Sequence, residues 1–267
     1  MTCCIHHSYY VPHTQAAQRG DEPVPSLTQV DTRLSFLALV ETLVRYGTEH
    51  WECGQYVTAA AERILKDIVV PNLVWRVGRV EGTLRKVAIA IAHNVLKAGA
   101  VQSTTLFQSA TDLVPLLVSH LDDQDLSTRL IACYCLTILF DRLKGAFSEQ
   151  AIHELYPKLL KRLDDSNDQM RITICATLVS FFNNAPKQCY TGTLYDYTLD
   201  QLYIHLDDPD SEIQQAVYNT IINISYINRE LVLKKATLHK STHRDPKYCM
   251  NIINEIQGYE VLDDDRA

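Results

Sequence analysis

Between Leu113 and Ile224 the apolar positions of this chain follow one pattern three times. A helix-spaced apolar stretch closes on Leu-Asp-Asp, a short polar turn follows, and a second helix-spaced apolar stretch begins. The copies read LVPLLVSHLDDQDLSTRLIACYCLTILF, LYPKLLKRLDDSNDQMRITICATLVSFF and LDQLYIHLDDPDSEIQQAVYNTIINI. Their shared leucines, Leu121, Leu163 and Leu206, recur at intervals of 42 and 43 residues. Each copy predicts two helices whose apolar faces meet, and whose remaining apolar positions need a neighbouring copy to cover them.

That period is the one at which paired antiparallel helices stack into a HEAT or armadillo array. The expected fold is all-α, a HEAT/armadillo-like right-handed α-solenoid of about five helical-hairpin units, the first and last imperfect. Periodicity begins near Val30. Arg33 to Gly47 reads as the inner helix of a unit without an evident outer partner, and Arg85 to Gly99 as its counterpart; both close on glycine, as at a helix C-cap. Residues 49–77 supply an outer helix interrupted by Pro71, with Pro115 and Pro157 at the corresponding places in the next two units. A proline there removes one helical hydrogen bond and bends the helix.

Inner helices are expected from about Ser127 to Leu143, Gln169 to Asn183 and Glu212 to Ile227. Asp125, Asn167 or Asp168, and Asp210 or Ser211 stand where first turns need caps. Residues 229–239 and 246–258 form a last, shorter pair. The expected division is a flexible or atypical lead at 1–26, a solenoid at 27–258 and an acidic tail at 259–267. The lead contains Pro12, Gly20, Pro23 and Pro25 without sustained periodicity.

Two charge patterns accompany the repeat. Asp123 precedes Arg129 by six residues, and Asp165 precedes Arg171 by the same interval. This places a carboxylate at one turn and a guanidinium on the following helix, where they can hydrogen-bond within and between units, a structural ladder that fixes stacking register. An always-charged arginine is a poor proton shuttle, so the pairs do not read as catalytic dyads. Gln214 takes the arginine place beside Asp208 and Arg79 the aspartate place before Arg85, which predicts that Arg85 and Asp208 are freer for solvent or a partner. The first-turn acids Asp122, Asp164 and Asp207 line one edge and are candidate contacts for a basic partner.

Arg76, Arg79, Arg85 and Lys86 cluster around Trp75. One reading makes Trp75 an interaction anchor, since Trp and Arg are enriched at binding centres; the other packs it between helices with the arginines lying over it. Tyr190, Tyr195, Tyr197 and Tyr203 crowd a junction between two units, either covering an apolar edge or binding a peptide.

Composition narrows the function classes. With 267 residues, 46% apolar and 21% charged, the chain is that of a folded protein, and its net charge of −7 argues against a general attraction to nucleic-acid phosphates. No stretch suits a membrane span or signal peptide. Eight cysteines without framework spacing read as reduced packing residues of a cytosolic protein. Cys3, Cys4, His6, His7 and His13 lack the spaced pairs of a structural zinc site. His93, His120, His153 and His205 stand singly, and no phosphate-cradling, dinucleotide or zinc-protease motif occurs. No catalytic residue, cofactor or metal site is expected.

The segments VVPNLVWRVGRVEGTLRKVAIAIAHNVL, LYPKLLKRLDDSNDQMRITICATLV and LYIHLDDPDSEIQQAVYNTIINI, followed by HKSTHRDPKYCMNIINEIQ, resemble the C-terminal HEAT-repeat region of the HEAT-repeat axonemal dynein assembly factor family, from about residue 27 to 258. That resemblance implies a non-enzymatic cytoplasmic scaffold or client-binding factor in preassembly of outer and inner axonemal dynein arms for motile cilia. Axonemal dynein chains, other dynein assembly factors and chaperones are the implied partners, without nucleic acid or membrane. The family's members are much longer than this chain. The alternative is a general HEAT-repeat adaptor for transport, phosphatase or cytoskeletal complexes.

Overall fold

The structure, a computed structural model, describes residues 30–190 and 193–264, and of residues 51 and 259–264 the backbone alone. The described residues form an all-α solenoid. Helix α1 (Val30–Glu49) is followed by α2 (Trp51–Arg63), which runs through a π-helical turn (Ile64–Val69) into α3 (Val70–Leu73). Then come α4 (Arg79–Lys97), α5 (Ser103–His120), α6 (Leu126–Arg142), α7 (Glu149–Leu160) with a 3₁₀ turn to Asp164, α8 (Asp168–Asn184) and α9 (Thr193–His205). The chain closes with α10 (Ser211–Ile224), α11 (Arg229–Lys240) and α12 (Lys247–Asp264).

Helices α1, α4, α6, α8 and α10 pack one on the next as an inner layer, and α12 continues it. The segment α2–α3 and helices α5, α7, α9 and α11 form the other layer, each joined by a turn to its inner partner. The interval of 42 and 43 residues is therefore the length of one hairpin plus its connections, as the leucine spacing predicts.

Local chemistry explains where the helices begin. The side chain of Asp125 accepts from Thr128 N at 2.9 Å, Asn167 from Met170 N at 3.2 Å, and Asp210 from Glu212 N at 2.8 Å and Ile213 N at 3.2 Å. Asp168 and Ser211, the alternative caps, lie inside α8 and α10. Ser148 and Asn228 cap α7 and α11 in the same way. Pro115 and Pro157 sit inside α5 and α7, and the π-helical turn falls directly before Pro71, where the missing N–H must be absorbed.

The expectation that Gly47 caps a helix is corrected by the structure. Gly47 is buried inside α1, and a Cβ built there would lie 2.4 Å from Val57 Cγ2, so this glycine permits close approach of α1 and α2. Gly99, by contrast, follows α4 with φ +65°. Inner helix α10 is also shorter than predicted, because the chain tightens into a 3₁₀ turn over Ser225–Ile227.

The core is continuous from Leu37 to Ile256. Phe140, Phe181, Phe182 and Tyr195 form an edge-to-face chain with successive ring centroids 5.3, 5.2 and 6.1 Å apart, linking three successive units. Tyr195 donates to Ile224 O at 2.8 Å and Tyr203 to Val232 O at 3.0 Å, while Tyr190 donates to Ala185 O at 3.1 Å. The tyrosine-rich junction thus covers the core and leaves Tyr197 exposed. Cys133, Cys135, Cys175, Cys189 and Cys249 are buried free thiols. Burial pushes Cys133 and Cys175 up to about 12 and Cys249 to about 11, so these sulfurs stay as thiols.

Cys3, Cys4, His6, His7, His13, Tyr9 and Tyr10, with the lead at 1–26, lie outside the described residues. Helix α12 carries the backbone to Asp264 within the segment read as an acidic tail, and residues 265–267 again lie outside.

Candidate functional site

The turns between outer and inner helices gather nearly every charged residue singled out in the sequence, so the site is built from these turns. At each one an aspartate folds back on its own loop: Asp125 N donates to Asp123 Oδ1 at 3.0 Å, Asn167 N to Asp165 Oδ1 at 3.0 Å, and Asp210 N to Asp208 Oδ1 at 2.9 Å. At Asp123 and Asp208 the other oxygen, Oδ2, meets a guanidinium from the preceding unit, and at Asp165 the same Oδ1 does so.

Those guanidiniums are one unit away. Arg85 pairs with Asp123 at 3.1 Å, Arg129 with Asp165 at 3.0 Å, and Arg171 with Asp208. Each arginine also donates to a carbonyl of its own turn: Arg85 to Arg76 O at 2.7 Å, Arg129 to Asp123 O at 2.9 Å, and Arg171 to Leu163 O at 2.9 Å. The six-residue spacing coincides with a backbone contact at Asp123 and Arg129, and in every case the ion pair crosses to the next unit. This offset corrects the expectation that Arg85 and Asp208 are free. They are the two ends of the ladder, and Arg85 is only 6% exposed. Arg85 consequently cannot serve as an exposed partner contact.

A second row, not anticipated from the sequence, uses Arg162 and His205, the residues before the second and third shared leucines, and Arg244 beyond them. Arg162 and Lys161 both reach Asp122 at 2.9 Å, His205 Nε2 lies 3.4 Å from Asp164, and Asp207 accepts from Arg244 N at 3.0 Å and Nε at 3.2 Å. The signal was present, since His120, Arg162 and His205 occupy one repeat position. Of the three acids offered as contacts for a basic partner, Asp122 and Asp207 are already engaged by cations. The Asp164 side chain is 73% exposed and, among the described residues, faces His205 alone.

The row also explains an orphaned atom. His120 is fully buried, its Nδ1 lies 2.6 Å from Leu116 O, and its Nε2 has no hydrogen-bond partner among the described residues. The preceding turn carries Gly78 where the later ones carry Asp122 and Asp164, so the register supplies no carboxylate. Burial, opposed in part by the Leu116 carbonyl and Asp123 and reinforced by Arg85, holds His120 below the ordinary histidine range. Burial likewise lowers His93, His205, His239 and His243.

A group whose folded pKa is depressed in this way binds its proton in the unfolded chain first, so stability is lost as pH falls. Taking the protein from about pH 7.5 to about pH 5.5, through the ordinary histidine value, should lower its urea midpoint. His120→Gln, which cannot titrate, should flatten that slope; a slope identical to wild type would show that His120 does not contribute.

The turn between α3 and α4 departs from this scheme. It reads VWRVGRV, without either turn aspartate, and Gly78 adopts φ +123°, a conformation that strongly favours glycine. Trp75 is 57% exposed, with the Arg85 guanidinium 5.5 Å from its ring centroid. Val74, Val77 and Val80 are exposed beside it. Arg76 and Arg79 are exposed as well and make no ion pair among the described residues, whereas Lys86 is held by Asp125 at 3.1 Å. Of the predicted basic cluster, the structure leaves Trp75, Arg76 and Arg79 exposed without an ion pair among the described residues, while Lys86 is exposed but paired. The three valines were missed, although VWRVGRV places them three residues apart around the positions where the other units carry acids.

Among the described residues no group of three or more His, Cys, Asp and Glu is arranged to hold a metal ion, and no helix is long and apolar enough to cross a membrane. An apolar groove of about 370 Å³ lies between α5 and α7, walled by Phe107, Val114, Val118, Phe147 and Leu155.

The chain is distantly similar to dynein axonemal assembly factor 5. It is 28% identical over 231 residues to dynein axonemal assembly factor 5 of Xenopus laevis and 26% identical over 231 residues to that of Homo sapiens, in each case across 85% of this chain. It spans 27% of the length of those two relatives. No protein-family model matches. Among solved structures, a designed armadillo repeat protein superposes with TM-score 0.57 at 16% identity, covering 86% of this chain and 100% of that one. An engineered protein superposes with TM-score 0.58 at 15% identity, covering 86% and 92%. These likenesses establish the armadillo/HEAT-like fold.

Proposed function

We propose that this chain is a non-enzymatic, protein-binding scaffold or adaptor, and that it serves the cytoplasmic preassembly of outer and inner axonemal dynein arms for motile cilia. The observation that carries the general reading is how its charges are divided. The ladder arginines and aspartates are turned inward and consumed in stacking, while Trp75, Arg76 and Arg79 stand at the surface beside exposed valines. The mechanism is holding and positioning: a solenoid presents an extended surface, and small changes between units adjust it to a client. Cysteines held as thiols by burial favour a packing role over nucleophilic chemistry.

The finer assignment is favoured by the distant homology, which runs through the repeats over 85% of the chain. On this reading axonemal dynein chains, other assembly factors and chaperones are the partners. The test is quantitative affinity-purification mass spectrometry of the chain from cytoplasm of cells building motile cilia, against an unrelated solenoid at matched expression. Selective recovery of axonemal dynein chains together with assembly factors is expected. Recovery of transport or phosphatase machinery without those chains would overturn the ciliary assignment and leave the general adaptor.

A further inference from the structure

The turn joining α3 to α4 is the one repeat turn between Leu73 and Asp210 from which both acids are missing, and it is also where two arginines are left without carboxylates. At the next three turns the first acid meets a basic group of the following unit, and the second meets the ladder arginine of the preceding one. Here Gly78 and Arg79 stand in those two places. The ladder carboxylates Asp123, Asp165 and Asp208 are therefore each matched by an arginine within the molecule, while this turn is left open with positive sign.

We infer that Trp75, Arg76, Val77 and Arg79 form a docking surface for a short acidic segment of a partner protein, in which an apolar side chain is flanked by carboxylates. The carboxylates supply from outside what the other turns carry themselves. The apolar residue covers Val77, which is 82% exposed, and the face of Trp75. Both halves of the surface are already fixed: Arg85 donates to Arg76 O at 2.7 Å, lies 5.5 Å from the Trp75 ring centroid and is anchored to Asp123 at 3.1 Å. A segment binding there does not have to order the loop, which lowers the entropic cost of association.

The same features argue for a short protein segment over a polyanion. Two unpaired guanidiniums give a weak counterion-release term, and a molecule of net charge −7 repels an extended phosphate backbone or an anionic membrane. A peptide can place its few charges at the two arginines and leave the acidic remainder of the edge untouched.

This proposal rests on the scaffold reading but is tested without any dynein component. The full chain is titrated, by fluorescence anisotropy, into a fluorescein-labelled peptide carrying a Leu-Phe pair flanked by two glutamates on each side. Saturable binding is expected, weakened on the order of tenfold or more by Arg76→Glu/Arg79→Glu, by Trp75→Ala, and by a peptide with glutamine for glutamate. Circular dichroism checks that the variants remain folded, as exposed substitutions generally do. Absence of saturable binding, binding unchanged in the folded variants, or equal binding of a labelled single-stranded oligonucleotide would overturn it. If the peptide fails while dynein chains are still recovered from cells, the docking surface falls and the scaffold reading stands; peptide binding without dynein recovery has the opposite consequence.

Discussion

Leu163→Asp is expected to destroy the cooperative melt of this protein, while Asp164→Ala, one residue away, should leave it nearly unchanged. Leu163 is 2% exposed at the end of the 3₁₀ turn that closes α7, and it packs within the continuous core. Removing a buried leucine side chain costs about 2–5 kcal/mol, and placing a polar group in its space without a partner adds roughly 1–3 kcal/mol. A loss of about 4 kcal/mol or more is a large part of the stability of an ordinary domain. Asp164 points outward, and its one partner among the described residues is His205 at 3.4 Å, so its removal should change stability by no more than about 0.5 kcal/mol. Thermal melts followed by circular dichroism decide between them. Equal loss of cooperativity in both variants would mean that the turn, rather than the core leucine, holds the unit together.

The position of the substitution sharpens this expectation. In a solenoid each unit is stabilised mainly by its two neighbours, so a fault in the middle weakens two interfaces at once. Leu163 belongs to the unit built from α7 and α8, whose inner helix packs between α6 and α10. The aromatic chain through Phe140, Phe181 and Phe182 crosses the same unit. Damage there should separate the array into two blocks and broaden the melt as well as lower it.

Much of this architecture could be read in the sequence because a repeat states its own period. The helices, their capping aspartates and the leucines that seal each turn are properties of 42 or 43 consecutive residues, and local chemistry is enough to place them. Bonds between units could be expected, but which arginine meets which aspartate was beyond reach for a physical reason. Asp123 and Arg129 look like partners because they are six apart, yet Arg85, 38 residues upstream of Asp123, has the guanidinium that meets its carboxylate. Stacking shifts every pair by one unit, and nothing within a single copy records that shift. The error then propagated to the ends, where Arg85 and Asp208 looked free because their partners within the copy were missing.

The surface at Trp75 shows the same division. Its arginines were visible as a basic cluster in an acidic chain, but the choice between an exposed anchor and a packed tryptophan depends on which groups bury the arginines. The answer lies in the ladder: Arg85 is drawn under the loop by Asp123, and Arg76 and Arg79, lacking such carboxylates, stay outside. Likewise His120 could be seen as a solitary histidine, but its bare Nε2 becomes intelligible only when Gly78 is set against Asp122 and Asp164.

Asp165→Ala should be the most damaging of the charge-removing substitutions, and a double-mutant cycle with Arg129→Met should show why. Asp165 receives Arg129 at 3.0 Å from the unit before, Arg162 at 3.4 Å from its own unit, and Asn167 N at 3.0 Å, with its side chain 4% exposed. Its loss leaves a largely buried guanidinium without its carboxylate and unfastens the turn, which costs about 3–5 kcal/mol when one member of a buried pair is removed. Arg129→Met takes away the stranded charge and fills most of its space, so Asp165→Ala/Arg129→Met should be distinctly more stable than the sum of the single losses predicts. Urea midpoints of the four proteins measure that coupling. If the two substitutions add to within about 0.5 kcal/mol, the ion pair does not fasten the interface. A large coupling would place the binding energy between units in the turn edge as well as the apolar core, and would explain why a scaffold spends its buried arginines on register and leaves only the unmatched ones to meet a partner.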